Sequence, residues 1–520
     1  MTASRALRQL TSKSERSHFG PVMWSEWVKF RTVRGWVIGL LVAAVLCVAF
    51  TLVVANGNNQ GTCTPNGVCT AGHPFVPTDP GGEAVADSYE FVSQPLTGNG
   101  TLTAQVASVS GLISNGPSNQ APSLAHTQPG LEEWAKAGIL LTPDTIQGAP
   151  YAAIMTTGSH GTRFQYNYTH DQPGTMTNSL PHWLRLTRTG NTLTGYDSAN
   201  GTTWNQIGSA HLAGLPETVH VGLFATSPVS FKGSSGGEAT QATAAFDRIT
   251  LNGRAGSHGW QARSIGTSAK DYYPTLGAGG YHRSGSTFVL SGSGDIALAV
   301  NPLAGGNTAS ESLWFGLLVA LVLLIVVGAM FVTVEYRRGL IRTTFTATPQ
   351  RGVVLAAKVV VIAAIAFAVG ALTAAVGGPL GVHILNANGN FVFPATSLSK
   401  VQIVAGSGAL LALTSIAALA LGTILRTSAA AITTGIVVFV LPYIVSTSSA
   451  GAFGTWLFRL SPAAGFSVLG VLPRSALVNA PYTMGNDYYP LAPWAGLAVL
   501  CAYTTLAVCI AAVLLRRRDA

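Results

Sequence analysis

The chain reads as an α-helical membrane protein of six transmembrane helices with an inserted all-β, jelly-roll-like sandwich on the extracytoplasmic side. Three observations lead there. Only 9% of its 520 residues are charged, against ~25% in a soluble domain, while 48% are hydrophobic and the mean hydropathy is +0.38. Six apolar stretches are long enough to cross hydrocarbon. Between the first and second of them, residues 56–312 change to short alternating runs punctuated by Gly, Pro, Asn and Asp.

Residues 1–34 form a polar, basic leader. Trp36 to Val54 then runs without a charge, about 29 Å at 1.5 Å per residue. That is longer than the core of a cleaved signal peptide, so residues 35–55 read as a retained first span. Five more spans fill residues 313–515, at Leu313–Val334, Val353–Ile384, Val401–Leu425, Ser428–Val445 and Ala492–Leu515, before a basic tail at 516–520. Lys358 is expected to snorkel to the inner interface. Gly377-Gly378-Pro379 is expected to break the third span, and Pro442 to kink the fifth.

Charge sets the topology. Asn56 to Leu313 carries 10 Lys/Arg against 15 Asp/Glu, and the remainder 19 against 5. With the N-terminus inside, 16 of those 19 cations are cytoplasmic and only Lys400, Arg459 and Arg474 lie outside. Both termini are therefore expected in the cytoplasm of a multi-pass cell-membrane protein. The basic residues flank apolar segments and form no aromatic-laced patch, which argues against nucleic acid and for the lipid bilayer as partner.

Residues 56–85 read as a linker. Within it CTPNGVC places a turn between Cys63 and Cys69, and an oxidising exterior would join them as a disulfide; two free thiols are the alternative. Residues 86–252 contain YEFVSQPL, TLTAQVASV, AGILLT, YAAIMTT, TRFQYNY, WLRLTR, TLTGYD, TWNQIG, VHVGLFAT and AAFDRITL, with Asn200-Gly201 as a hairpin turn. Residues 253–312, rich in Gly and Ser, read as a looser connector with one strand at STFVLSG.

Two segments at the inner surface stand out. From Met23 to Arg34, Trp24 and Trp27 interleave with Glu26, Lys29, Arg31 and Arg34, the pattern of an amphipathic interfacial helix or of an aromatic belt for the first span. After the second span, Glu335, Arg337, Arg338, Arg342, Arg351 and Lys358 surround Gly339 and Pro349. These charges suit anionic headgroups and equally suit a protein groove.

WSEWVKFRTVRGW and VEYRRGLIRTTFTATPQRGVVLAAK resemble the approach to the first span and the cytoplasmic loop of type-two ABC exporter permeases. The resemblance covers roughly Met23–Val54 and Leu313–Leu515. It implies that Glu335, Arg337, Arg338, Gly339, Arg342 and Arg351 belong to a coupling element that rests on an ABC ATPase subunit. It also implies an interfacial elbow helix and an active homodimer or heterodimer. The segment from Ala86 to Asn252 is similar to laminin-G-like or concanavalin-like jelly rolls, carried by DSYEFVSQPLTGNGTLTAQV, WAKAGILLTPD and WLRLTRTGNTLTGYDSANGTTWNQIG.

Catalysis is not expected. GxxxxGK[ST] and HExxH are absent from the sequence, so no cofactor is expected in this chain, and ATP and Mg belong to the partner subunit. The acidic residues of the sandwich are scattered or, like Glu132-Glu133, adjacent, unlike the paired carboxylates of a glycosidase. Its histidines show no metal-ligand spacing. Phe164, Tyr166 and Tyr168 share a strand parity and are expected on one face, as ligand-stacking rings or as core. The competing function is a membrane-anchored glycan- or peptide-binding receptor that transports nothing. Cysteines introduced at Ser4 and Asp519 should resist an impermeant thiol reagent in intact cells while one at Ser268 reacts; external labelling at Asp519 would invert the topology.

Overall fold

The computed structural model describes residues 19–58, 61–63, 69–71, 76–115, 124–176, 179–231, 237–256, 259–267, 275–300, 306–308, 310–347, 350–449, 452–475, 482 and 484–517. Two compact units result, one from 1–59, 307–474 and 482–520, the other from 60–306 with 475–481.

The first unit is helical. Helix α1 (Phe19–Thr32) meets α2 (Arg34–Gly57) at an extended Val33. After the insertion come α3 (Glu311–Arg337), the short α4 (Leu340–Ala347), α5 (Arg351–Ala387) and α6 (Ser397–Leu425). Then follow α7 (Ser428–Phe439), α8 (Leu441–Ser448), α9 (Ala452–Leu460) and α10 (Pro493–Arg517). Among the described residues six helical segments, with α7 and α8 counted as one, are long and apolar enough to cross a membrane, and all six coincide with the stretches read from the sequence. Pro442 stands in the first turn of α8, directly after the break at Val440, as expected.

The expected break at Gly377-Gly378-Pro379 is absent, because α5 continues through Pro379. Gly377 and the nearby Gly381 serve packing: a Cβ at Gly377 would come within 3.2 Å of Leu313, and one at Gly381 within 2.4 Å of Ser312 Oγ. Polar residues inside the apolar helices turn back on their own backbone, with Thr414, Ser415 and Thr423 donating to carbonyls four residues earlier. Leu317, Leu324, Leu411, Phe458 and Phe466 fill the centre.

The second unit is all β. Its strands are β1 (Gly61–Cys63), β2 (Cys69–Ala71), β3 (Val85–Asp87), β4 (Tyr89–Ser114), β5 (Thr127–Pro129) and β6 (Lys136–Thr142). There follow β7 (Ala152–Thr157), β8 (Thr162–Tyr166), β9 (His170–Pro173), β10 (His182–Thr189), β11 (Thr192–Ser198) and β12 (Asn205–His211). The last are β13 (Thr218–Thr226), β14 (Thr240–Ala255), β15 (Gln261–Ile265), β16 (Gly280–Ser284), β17 (Thr287–Gly292) and β18 (Ile296–Leu298). An antiparallel path runs β12-β11-β10-β4-β13-β6-β7-β8-β9 and folds over so that β11 faces β7 and β12 faces β8.

Two readings change here. YEFVSQPL and TLTAQVASV are one 26-residue strand, β4, which pairs with β10, β13, β14 and β15 in turn. Gly100 does not end it; its missing Cβ avoids Leu96 and the Asn252 carbonyl. The connector after Gly253 is also more ordered than expected. It adds β15 to β4 and β17 to β14, with Phe288 and Leu290 turned inward. Gly201, at φ +75°, makes the turn between β11 and β12 as its Asn-Gly sequence suggests.

Phe164 locks the two layers. A Cβ at Gly195 or Gly208 of the facing strands would come within 2.5 or 2.6 Å of its ring. Phe164→Ala should therefore cost about 3–5 kcal/mol of β-unit stability, measurable as lost hydrogen-exchange protection in β7, β8 and β11. Unchanged protection would refute the interlayer role.

Candidate functional site

Met23, Glu26 and Phe30 recur at helical spacing, and Glu26 and Phe30 are buried. Phe30 meets the edge of Phe331 on α3 at 5.6 Å and lies against Trp36 at 6.4 Å. Trp24 and Trp27 consequently face out, 65% and 37% exposed. The aromatic outer face agrees with the interfacial pattern, but Glu26 departs from it. The sequence reading grouped this carboxylate with the polar residues, whereas it is buried.

The reason is Lys358. It does not snorkel outward: its side chain is 2% exposed, and Nζ donates to Glu26 Oε2 and Glu335 Oε1, each at 2.7 Å. It also stands 4.7 Å from the Phe331 ring centre. Lys29 closes the network, donating to Glu26 Oε1 at 2.6 Å and standing 3.5 Å from Glu335 Oε1. Burial alone would lower the Lys29 pKa; the hydrogen bond and charge of Glu26, with Glu335, outweigh it and hold the ammonium above its ordinary value. Two carboxylates and two ammoniums thus balance, joining α1, α3 and α5.

The loop residues separate into two groups. Glu335 is inside the network, and Arg351 Nη1 donates to the Leu515 carbonyl at 2.9 Å, tying the start of α5 to the end of α10. Arg337 and Arg338 are exposed and their guanidiniums have no partner among the described residues. Gly339 supplies a left-handed turn, φ +70°, in open space between α3 and α4. Arg342 lies on α4, its side chain outside the described residues, as is Pro349. Arg31 and Arg34 are exposed.

Arg34, Arg337, Arg338, Arg351, Arg426, Arg516 and Arg517 all mark one set of helix ends. Arg426 lies 5.3 Å over Tyr336 there, and Thr333 meets Ser428 at 2.7 Å. The opposite ends meet through Asn388 and Asn390, which donate to carbonyls at the close of α2. Asp487, also on that side, is buried and accepts from Thr308, Ser310 and Tyr489. Burial pushes its carboxyl up to about 6 against those hydrogen bonds.

Cys63 and Cys69 stand opposite each other in the β1–β2 ladder; their side chains lie outside the described residues. The three stacking rings do not share a face. Phe164 is fully buried, β8 ends at Tyr166, and Asn167 and Tyr168 have φ of 45° and 59°, which breaks the alternation. Tyr168 is 1% exposed and donates to the Ala149 carbonyl, so neither it nor Phe164 can stack on a ligand. Tyr166 reaches the surface only in part and stacks on His170 at 4.2 Å. Two other aromatics are half-buried beneath guanidiniums: Arg185 lies 3.7 Å over Trp204 and Arg248 5.7 Å over Trp183. Among the described residues no three His, Cys, Asp or Glu side chains converge to hold a metal.

Sequence reasoning missed the partners of Lys358. A signal was present, since an ionisable residue inside an apolar span asks for a counter-charge. It also missed the buried Lys136–Asp295 pair, at 2.6 Å, in the β unit.

No family model matches the chain, and no curated protein matches it. Among solved structures it is similar to a GH43 protein from Bacillus licheniformis, at 16% identity over 30% of this chain and 28% of that one, TM-score 0.19. It is also similar to a functionally unknown protein from Saccharomyces cerevisiae, at 16% identity over 39% of this chain and 99% of that one, TM-score 0.19. The chain thus spans 28% of the length of the GH43 protein. At such scores neither likeness carries an argument.

Lys358→Met should destabilise the helical unit by about 3–5 kcal/mol, because it leaves two carboxylates facing each other away from water. Adding Glu26→Leu leaves the Lys29–Glu335 pair and should recover at least half of that loss in thermal unfolding followed by tryptophan fluorescence. A double variant less stable than the single would refute the network.

Proposed function

We propose that the chain is the permease subunit of an ABC-type exporter in the cell membrane, moving an unidentified substrate outward and driven by a separate ATPase subunit. The observation that carries this reading is α4. It is a short amphipathic helix between the second and third apolar segments, at the helix ends that gather the arginines. Its sequence is the part that resembles the exporter coupling loop. Only a two-residue turn separates it from α3, and Glu335 at the end of α3 binds Lys358 of α5.

A push on α4 would pass through that turn into α3, and the ion network would carry it to α1 and α5 together. The β unit would stand outside, both termini inside, and two permease chains would enclose the path. ATP and Mg would sit in the partner. The half-buried Arg185–Trp204 stack favours a second reading, in which the β unit recognises a glycan or peptide; that role is compatible with transport and becomes the main one if no ATPase is found.

The full-length chain purified in mild detergent should bring down an ATP-hydrolysing subunit. Arg342→Glu with Thr343→Glu, both on α4, should change stability by no more than about 0.5 kcal/mol. It should nevertheless abolish that copurification, since reversal at a charged contact costs about 2–5 kcal/mol or more. Retained binding and normal coupling in the variant would overturn the assignment of α4.

A further inference from the structure

We infer that the cleft bounded by α1, α2 and α3 binds one anionic phospholipid, with its phosphate on Arg337 and Arg338 and an acyl chain along the apolar floor. The inference rests on the bilayer insertion assumed in the proposed function and not on transport.

The cleft holds about 500 Å³, within the usual range for a small-molecule site. Its floor is formed by Leu323, Val327 and Phe331 of α3, faced by Gly35 and Gly39 of α2. The glycines keep it open. A Cβ at Gly35 would meet nothing within 4 Å, and one at Gly39 only Val327, at 3.8 Å. From Leu323 to Arg337 the α3 axis rises about 21 Å. One leaflet of hydrocarbon is about 15 Å deep, so the cleft matches a leaflet together with its headgroup layer.

The charge at the mouth decides which headgroup fits. Glu26 and Glu335 are neutralised by Lys29 and Lys358, so they do not cancel the arginines beside them. Arg337 and Arg338 are exposed, lack side-chain partners among the described residues, and stand where the apolar floor ends. Two guanidiniums suit a phosphate through paired N–H donors. A zwitterionic lipid brings its own cation toward them; a lipid such as phosphatidylglycerol does not.

Native mass spectrometry of the delipidated full-length chain, titrated with phosphatidylglycerol or phosphatidylcholine, tests this. One phosphatidylglycerol should bind more tightly than the rest, and tighter than phosphatidylcholine. Arg337→Ala with Arg338→Ala should weaken it about 25-fold, at about fivefold per basic residue, leaving phosphatidylcholine unchanged. Gly35→Leu with Gly39→Leu fills the cleft while sparing the charges and should also remove the tight site. Inorganic phosphate at millimolar concentration should not compete. Unchanged phosphatidylglycerol binding in the filled variant would reduce the site to annular attraction and overturn the proposal. Displacement by inorganic phosphate would make a free anion the ligand and overturn it as well. Absence of an ATPase from the same preparation would count against the exporter reading alone.

Discussion

Lys358 held between Glu26 and Glu335 is the contact on which the arrangement of the helical unit turns. Its net contribution is modest, because moving Lys358, Glu26 and Glu335 out of water costs nearly what their attraction returns. Its specificity is large, because any arrangement that separates the partners strands a charge in an apolar setting. Helix α1 therefore has one rotational setting: Glu26 and Phe30 turn inward, which obliges Trp24 and Trp27 to face outward. The aromatic face of α1 is a consequence of where its carboxylate must go.

Packing around that contact depends on what is missing from side chains. Gly316 on α3 lets the helix approach the Cys47 carbonyl of α2, where a Cβ would be 2.2 Å away, and Gly370 on α5 does the same against Ser407 of α6 at 2.6 Å. Apolar helices in lipid have no strong hydrophobic drive toward one another, and there close backbone approach of this kind would supply the dispersion that holds them. In the β unit the same device works in reverse. Two glycines make room for one ring, and Phe164 fills it.

The six apolar helices were legible because length and lack of charge are properties of single segments. Pro442 and Asn200-Gly201 were legible for the same reason, since each acts on its own backbone. Tyr168 was misread because strand parity holds only while φ stays extended, and the left-handed Asn167 ends that regime. Pro379 was misread because its neighbouring glycines answer to Leu313 and Ser312, which lie across a helix interface. Lys358 needed partners 332 and 23 residues away in sequence. Local pattern names the element; the partner across space names the role.

The cationic helix ends show why counting positive charge is a topology argument and an incomplete functional one. Lys29 and Lys358 are consumed by carboxylates, and Arg351 is committed to a backbone carbonyl of α10. All three would count toward orientation in a bilayer, where each stays on the side from which it was not translocated. They contribute little to the field outside the protein, however, because their charge or their donors are already engaged. Arg337 and Arg338 are not so engaged among the described residues, and they immediately precede Gly339, the one residue between α3 and α4 that needs a left-handed backbone. Two exposed charges thus stand at the pivot of the short helix, beside an apolar cleft. A lipid phosphate seated there and an ATPase pressing on α4 would act on the same turn, so occupancy of the cleft would set how stiffly α4 is joined to the network behind it.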